Sequence, residues 1–165
     1  MNSSDIKELK ESLSSPKNIV IIPHKNPDGD AIGSTLALKH YLDNSHSNVT
    51  VIAPNDYPSF LKWLPGDDSV IIFDNQPAKA KALISDADII FTLDFNHLGR
   101  CGNIEEPLRT ANQATFVMID HHQQPDNYAL ITYSDTTMGS TCEMIFHFIT
   151  SLKGQQHITP QIATL

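Results

Sequence analysis

Three apolar runs in this chain each end abruptly on acids and imidazoles. Asn18-Ile-Val-Ile-Ile-Pro23 leads into His24, Asp28 and Asp30. Ile89-Ile-Phe-Thr-Leu93 leads into Asp94. Phe116-Val-Met-Ile119 leads into Asp120, His121 and His122. Each run is apolar throughout rather than alternating, which is how a strand buried on both faces reads. Helical spacing fills the gaps. Ile32, Thr35, Leu36, Leu38 and Tyr41 or Leu42 form a stripe within residues 31–42. Further helices are expected from Asp5 towards Pro16, over 77–84 with Pro77 in the first turn, and over 139–152. A short helical segment is expected over 58–64, and another opens at Pro160. Residues 49–53, 70–73 and 129–133 read as additional strands. Strands alternating with helices predict an α/β chain with an open, mostly parallel sheet and helices on both faces. No repeat or long linker divides it, so one domain is expected over residues 1–165.

Composition narrows the partners. Net charge is −8, the wrong sign for gripping duplex DNA. Small phosphates remain compatible where metal ions supply local positive charge. No apolar run approaches a membrane span, and the N-terminus lacks a signal-peptide core, so a cytoplasmic protein is expected. Cys101 and Cys142 read as two reduced thiols.

In open parallel sheets, ligands sit outside the carboxyl ends of the strands. All three polar clusters fall there. Asp28, Asp30, Asp94 and Asp120 would crowd negative charge. A divalent cation relieves that crowding, and carboxylates with imidazoles suit manganese or iron. Two ions sharing a carboxylate, about 3.5–4 Å apart, form a clamp used in phosphoryl hydrolysis.

The segments His24-x3-Asp28-Gly-Asp30-Ala-Ile-Gly-Ser34, Asp94 and Asp120-His121-His122 closely resemble the DHH family of phosphoesterases, from about residue 18 onward. The resemblance implies one metal on His24, Asp28 and Asp94, and another on Asp30, Asp94 and His121, with Asp94 bridging. Asp94, Asp30 and His122 would then be the catalytic residues. His122 would face substrate, as a phosphate contact or proton donor, and Asp120 would orient a neighbouring histidine. Manganese is the expected ion, with magnesium, cobalt and iron also suited. Gly29 and Gly33-Ser34 look more like the branch acting on short oligonucleotides and nucleoside bisphosphates than like the family II pyrophosphatases. Thr136-Thr-Met-Gly-Ser-Thr-Cys-Glu143 resembles the family's Ser/Thr-rich helix start. The family pattern continues to a further Asp and a C-terminal substrate-binding domain. The chain is therefore expected to be a catalytic domain truncated before both.

Other residues have plainer readings. Asp28 and Asp30 also suit a turn and a helix cap. Arg100 suits either a phosphate contact or a surface ion pair. Ser140 is first a helix cap and second a phosphate contact. His40, His46, His97, His147 and His157 read as structural or solvated. Asp67, Asp68, Asp86 and Asp88 read as turn and helix-end charges. Trp63 reads as a packing residue rather than a base-stacking platform. The expected activity is two-metal hydrolysis of nanoRNA, linear or cyclic dinucleotides, or adenosine bisphosphate. A pyrophosphatase or exopolyphosphatase, and a non-catalytic metal- and nucleotide-binding module, are the alternatives. A homodimer is compatible with either.

Overall fold

The computed structural model describes residues 1, 3–43 and 48–165. The apolar runs form one six-stranded sheet, parallel throughout. Its strands are β1 (Asn18–Pro23), β2 (Asn48–Ala53), β3 (Ile71–Ile72), β4 (Ile89–Leu93), β5 (Thr115–Asp120) and β6 (Ile131–Ser134). They lie in the order β3-β2-β1-β4-β5-β6. Ile19 of β1 is in register with Val49 on one side and Ile89 on the other. The strand order reverses direction between β1 and β4. Connections leaving those two strands diverge there and open a crevice above their carboxyl ends.

The two-residue period of a strand sends successive side chains to opposite layers. Ile19 and Ile21 join the core with α1 (Ser3–Ser12), α2 (Gly29–Asp43), α5 (Thr141–Ser151) and α6 (Pro160–Thr164). Val20 and Ile22 join the other core, with α3 (Pro77–Ser85), the 3-10 stretch Leu98–Ile104 and α4 (Glu105–Thr110). Helices thus cover both faces.

The helix α2 is buried almost all round from Ala31 to Leu38, because it lies between the sheet and the pair α5 and α6. It therefore has no polar face in its first two turns. Its buried hydroxyls are satisfied locally: Ser34 Oγ donates to the Ala31 carbonyl (3.2 Å) and Thr35 Oγ1 to that of Ile32 (2.9 Å). At α5, Ser140 Oγ accepts the Glu143 N–H (3.1 Å), while Glu143 Oε2 takes the Gly139 N–H (2.9 Å). That reciprocal capping sets where α5 begins.

Some expectations shift. The region 95–114, left unassigned by periodicity, holds the 3-10 stretch and α4. Helix α1 starts at Ser3, before Asp5, and β6 starts at Ile131, two residues after the expected start. His46 lies outside the described residues. Both cysteines are free thiols. No helix among the described residues is long and apolar enough to cross a membrane.

Candidate metal centre

The loops after β1, β4 and β5 bring their acids and imidazoles together at the crevice. Asp94 is the hub. It is 2% exposed, and its backbone takes a left-handed φ of 65°, uncommon for a residue with a side chain. Its Oδ2 lies 3.5 Å from His24 Nε2. Its Oδ1 lies 3.5 Å from His121 Nε2 and accepts the Thr141 hydroxyl at 2.8 Å. Burial opposes ionisation of Asp94. Hydrogen bonds from His24 and Thr141, with the nearby imidazoles, outweigh it and hold the carboxyl below its ordinary range.

The imidazoles are oriented from behind. His24 Nδ1 is 2.8 Å from the Lys25 carbonyl, and His121 Nδ1 is 3.3 Å from the Met138 carbonyl. A carbonyl only accepts, so each Nδ1 carries a proton and each Nε2 points towards the carboxylates. That is how metal-binding histidines are held. Burial disfavours protonation of His24, but its bonds to Asp94 and the Lys25 carbonyl, with the charges of Asp94 and Asp28, raise its pKa above the ordinary histidine value.

Two helix N-termini position the remaining acids. Asp28 Oδ1 accepts the N–H groups of Asp30 (3.0 Å) and Ala31 (3.1 Å), capping α2. Asp30 reaches across to α5, accepting from Thr141 N–H at 2.8 Å and from Cys142 N–H at 2.8 Å. Its Oδ2 stays 3.7 Å from His121 Nε2. Asp120, fully buried, grips His122: its carboxylate accepts the backbone N–H at 3.0 Å and Nδ1–H at 2.7 Å. It orients His122 rather than His121, and leaves His122 Nε2 unengaged by Asp120.

Two groups of potential ligand atoms, each within 4.8 Å of one another, emerge among the described residues: His24, Asp28 and Asp94; and Asp94, His121 and His122. Asp94 belongs to both. The second group contains His122 where the sequence pointed to Asp30. The His122 nitrogen near Asp94 (Nδ1, 3.8 Å) is the one already bonded to Asp120, so it cannot also offer a lone pair. Asp30 lies beside this group, with Oδ2 3.7 Å from His121 Nε2. This donor set of imidazole nitrogens and carboxylate oxygens fits divalent cations such as manganese.

The other residues singled out in the sequence take different places. Arg100 is exposed, and its backbone carbonyl accepts the Lys25 N–H (2.8 Å). Ser140 is the α5 cap. His40 Nε2 meets the Pro65 carbonyl, His97 pairs with Asp126, and His147 pairs with Glu143. His157 lies in the 3-10 turn Gln155–His157. Thr141, buried on the hub carboxylate, carried no individual signal. It stands 47 positions from Asp94 in sequence, and only its Ser/Thr-rich surroundings drew attention to that stretch. Trp63 is not a packing residue, because it is 68% exposed.

The chain is similar to several known proteins. A protein described as a probable bifunctional oligoribonuclease and PAP phosphatase NrnA, from Streptococcus mutans, is 27% identical over 159 residues, covering 96% of this chain and 46% of that protein. The cyclic-di-AMP phosphodiesterase GdpP of Bacillus subtilis is 27% identical over 146 residues, covering 83% of this chain and 22% of that protein. The crystal structure of an exopolyphosphatase-related protein from Bacteroides fragilis superposes with a TM-score of 0.95 at 36% identity, over 98% of this chain and 47% of that one. The chain thus spans less than half the length of each. Residues 18–165 match the N-terminal domain of the DHH family, and the chain belongs to that family.

Proposed function

We propose that residues 1–165 form the catalytic domain of a manganese-dependent phosphoesterase that hydrolyses short nucleotide substrates. The observation that carries the reading is Asp94, shared by both donor groups where the strand order reverses. His24, Asp28 and Asp94 would hold one ion, and Asp94, Asp30 and His121 the other. The chemistry that two such ions supply when bound is neutralisation of phosphoryl charge and acidification of water.

The chain's own groups do the rest. Asp120 fixes Nδ1–H of His122, so Nε2 is the ring atom able to take up a proton and deliver it to the leaving oxygen. Thr141 holds Asp94 in one rotamer through its hydroxyl. The buried walls around Asp94 exclude water from its flank, which strengthens every charge interaction at the hub. Hydrolysis of a phosphodiester forms one P–O bond to water and breaks one to the leaving sugar oxygen. No covalent enzyme intermediate is needed. The oligoribonuclease and the cyclic-dinucleotide phosphodiesterase among the relatives support a nucleotide substrate.

The exopolyphosphatase-related neighbour favours a second reading, hydrolysis of pyrophosphate or polyphosphate. The test compares mononucleotide release from a dinucleotide, and phosphate release from adenosine bisphosphate, with phosphate release from pyrophosphate, all in manganese. Nucleotide turnover, at least about a hundred-fold lower in Asp94→Asn, is expected. Turnover of pyrophosphate alone would establish the second reading. Metal and nucleotide binding with no turnover of any substrate would leave a binding module and refute both.

A further inference from the structure

The stretch after β2 turns two large aromatic side chains to solvent. Phe60 is 70% exposed and Trp63 is 68% exposed. Successive bonds of the 3-10 type run through it: Leu61 N–H to the Pro58 carbonyl (3.0 Å), Lys62 to Ser59 (3.1 Å) and Leu64 to Leu61 (3.2 Å). Such a turn has three residues per revolution, so side chains three apart line up. Leu61 and Leu64 are buried, and Phe60 and Trp63, also three residues apart, are exposed. The apolar residues therefore divide into an anchor and a free pair. Lys62, between the two aromatics, is held elsewhere, with Nζ 2.9 Å from Asp56 Oδ1 and 3.4 Å from the centre of the Tyr57 ring.

The stretch is fastened to the loop that carries the metal-site acids. Asn55 Oδ1 accepts the Asn26 N–H at 2.7 Å, and Asn55 Nδ2 donates to Asn26 Oδ1 at 3.0 Å. A Cβ placed on Gly29 would stand 3.8 Å from Leu61 Cδ2, ordinary packing distance. Gly29 lies between Asp28 and Asp30, so Leu61 lies near the segment that carries these two acids. The other exposed large apolar side chains differ. Leu130 stands singly, and Phe146 packs edge-on against His147 at 5.6 Å. Single exposed apolar residues are ordinary, whereas two large aromatics three residues apart, on a stretch fastened to the loop of a site, suit a ligand of that site.

We infer that Phe60 and Trp63 form a stacking platform for a nucleobase of the substrate whose phosphate enters the Asp94 site. The inference rests on the nucleotide reading proposed above and adds where the base goes. Aromatic faces bind any base by stacking and read little sequence. The platform therefore favours base-bearing phosphates over base-free ones without selecting among bases.

Trp63 is the only tryptophan in the chain, so its fluorescence reports on the platform directly. Adenosine 5′-monophosphate and ribose 5-phosphate are titrated into the chain in manganese, with calorimetry in parallel to count binding. The nucleotide should quench Trp63 over the concentrations at which calorimetry shows binding, and ribose 5-phosphate should bind without quenching. Phe60→Ala should weaken nucleotide binding at least about five-fold, leave ribose 5-phosphate binding unchanged, and leave the circular dichroism spectrum intact. Calorimetric nucleotide binding with unaltered Trp63 emission would overturn the platform while the proposed function stood. Binding of neither compound would remove the proposed function and the platform with it. Trp63 emission that changes with protein concentration alone, alongside a dimer in sedimentation, would make this face an interface between copies and overturn the inference.

Discussion

Strand β4 carries an aspartate at each end, and the two could hardly be used more differently. Asp88, before the strand, is exposed and laces the sheet's lower edge. Its Oδ2 accepts the Asn18 N–H at 2.8 Å, its own N–H donates to the Asn18 carbonyl at 2.8 Å, and its carbonyl accepts from Thr115 at 2.9 Å. Asp94, after the strand, is buried, and three imidazoles and a hydroxyl crowd its two oxygens. At Asp88 a backbone N–H is a fixed donor to the carboxylate. At Asp94, His24 and His121, each held from behind by a backbone carbonyl, turn their second ring nitrogen towards the carboxylate. What distinguishes a site from a strand-end charge is therefore the company the acid keeps, and in a parallel sheet that company gathers where the strand order reverses.

The largest predicted effects sharpen this contrast at the Asp94 end. Asp120→Asn removes the carboxylate that fixes His122. It should lower turnover about ten- to a hundred-fold while manganese still binds, because His122 faces substrate in this account. Measuring both quantities on one variant separates that role from a ligand's. Thr141→Val deletes the hydroxyl donor on Asp94 and should weaken manganese binding about ten-fold, read by calorimetry. An unchanged affinity would show that Thr141 merely fills space.

At the other end of β4 the expected effect is on stability alone. Asp88→Ala should lower unfolding free energy by about 0.5–1.5 kcal/mol in urea, with turnover unchanged. A loss of turnover would erase the distinction between the two ends. The smallest expected signal is chemical silence. Burial pushes the Cys101 thiol up to about 12. Burial, with a hydrogen bond to Asp30 and the charges of Asp30, Asp94 and Asp28, also pushes the Cys142 thiol well above its usual value. Raised pKa values keep both protonated at pH 8, and the thiolate is the reactive form. Neither cysteine should alkylate in the folded chain, and both should in denaturant, as counted by mass spectrometry.

The sheet was legible because double-sided burial writes itself as unbroken apolar runs, and the site's outline because its acids follow those runs directly. The stretch from Leu98 to Leu108 was harder. Leu98, Cys101, Ile104 and Leu108 recur at helical spacing and all are buried, but Gly99, Gly102 and Pro107 interrupt the pattern, and Gly102 takes a φ of 62° inside it. Trp63 misled because apolar character does not say which way a side chain turns. The three-residue register of its turn does, since it puts Leu61 and Leu64 inside. Thr141 and the reach of Asp30 to α5 were not written locally at all. They exist only once α2 and α5 pack together and bring residues 111 apart within 2.8 Å.

The central claim is that Asp94 and not Asp88 organises a metal centre. Manganese titrated calorimetrically into the wild-type chain, Asp94→Asn and Asp88→Asn tests it most directly. Saturable binding is expected in the wild type and in Asp88→Asn, and its loss in Asp94→Asn. Wild-type binding by Asp94→Asn, or equal loss in both variants, would contradict it.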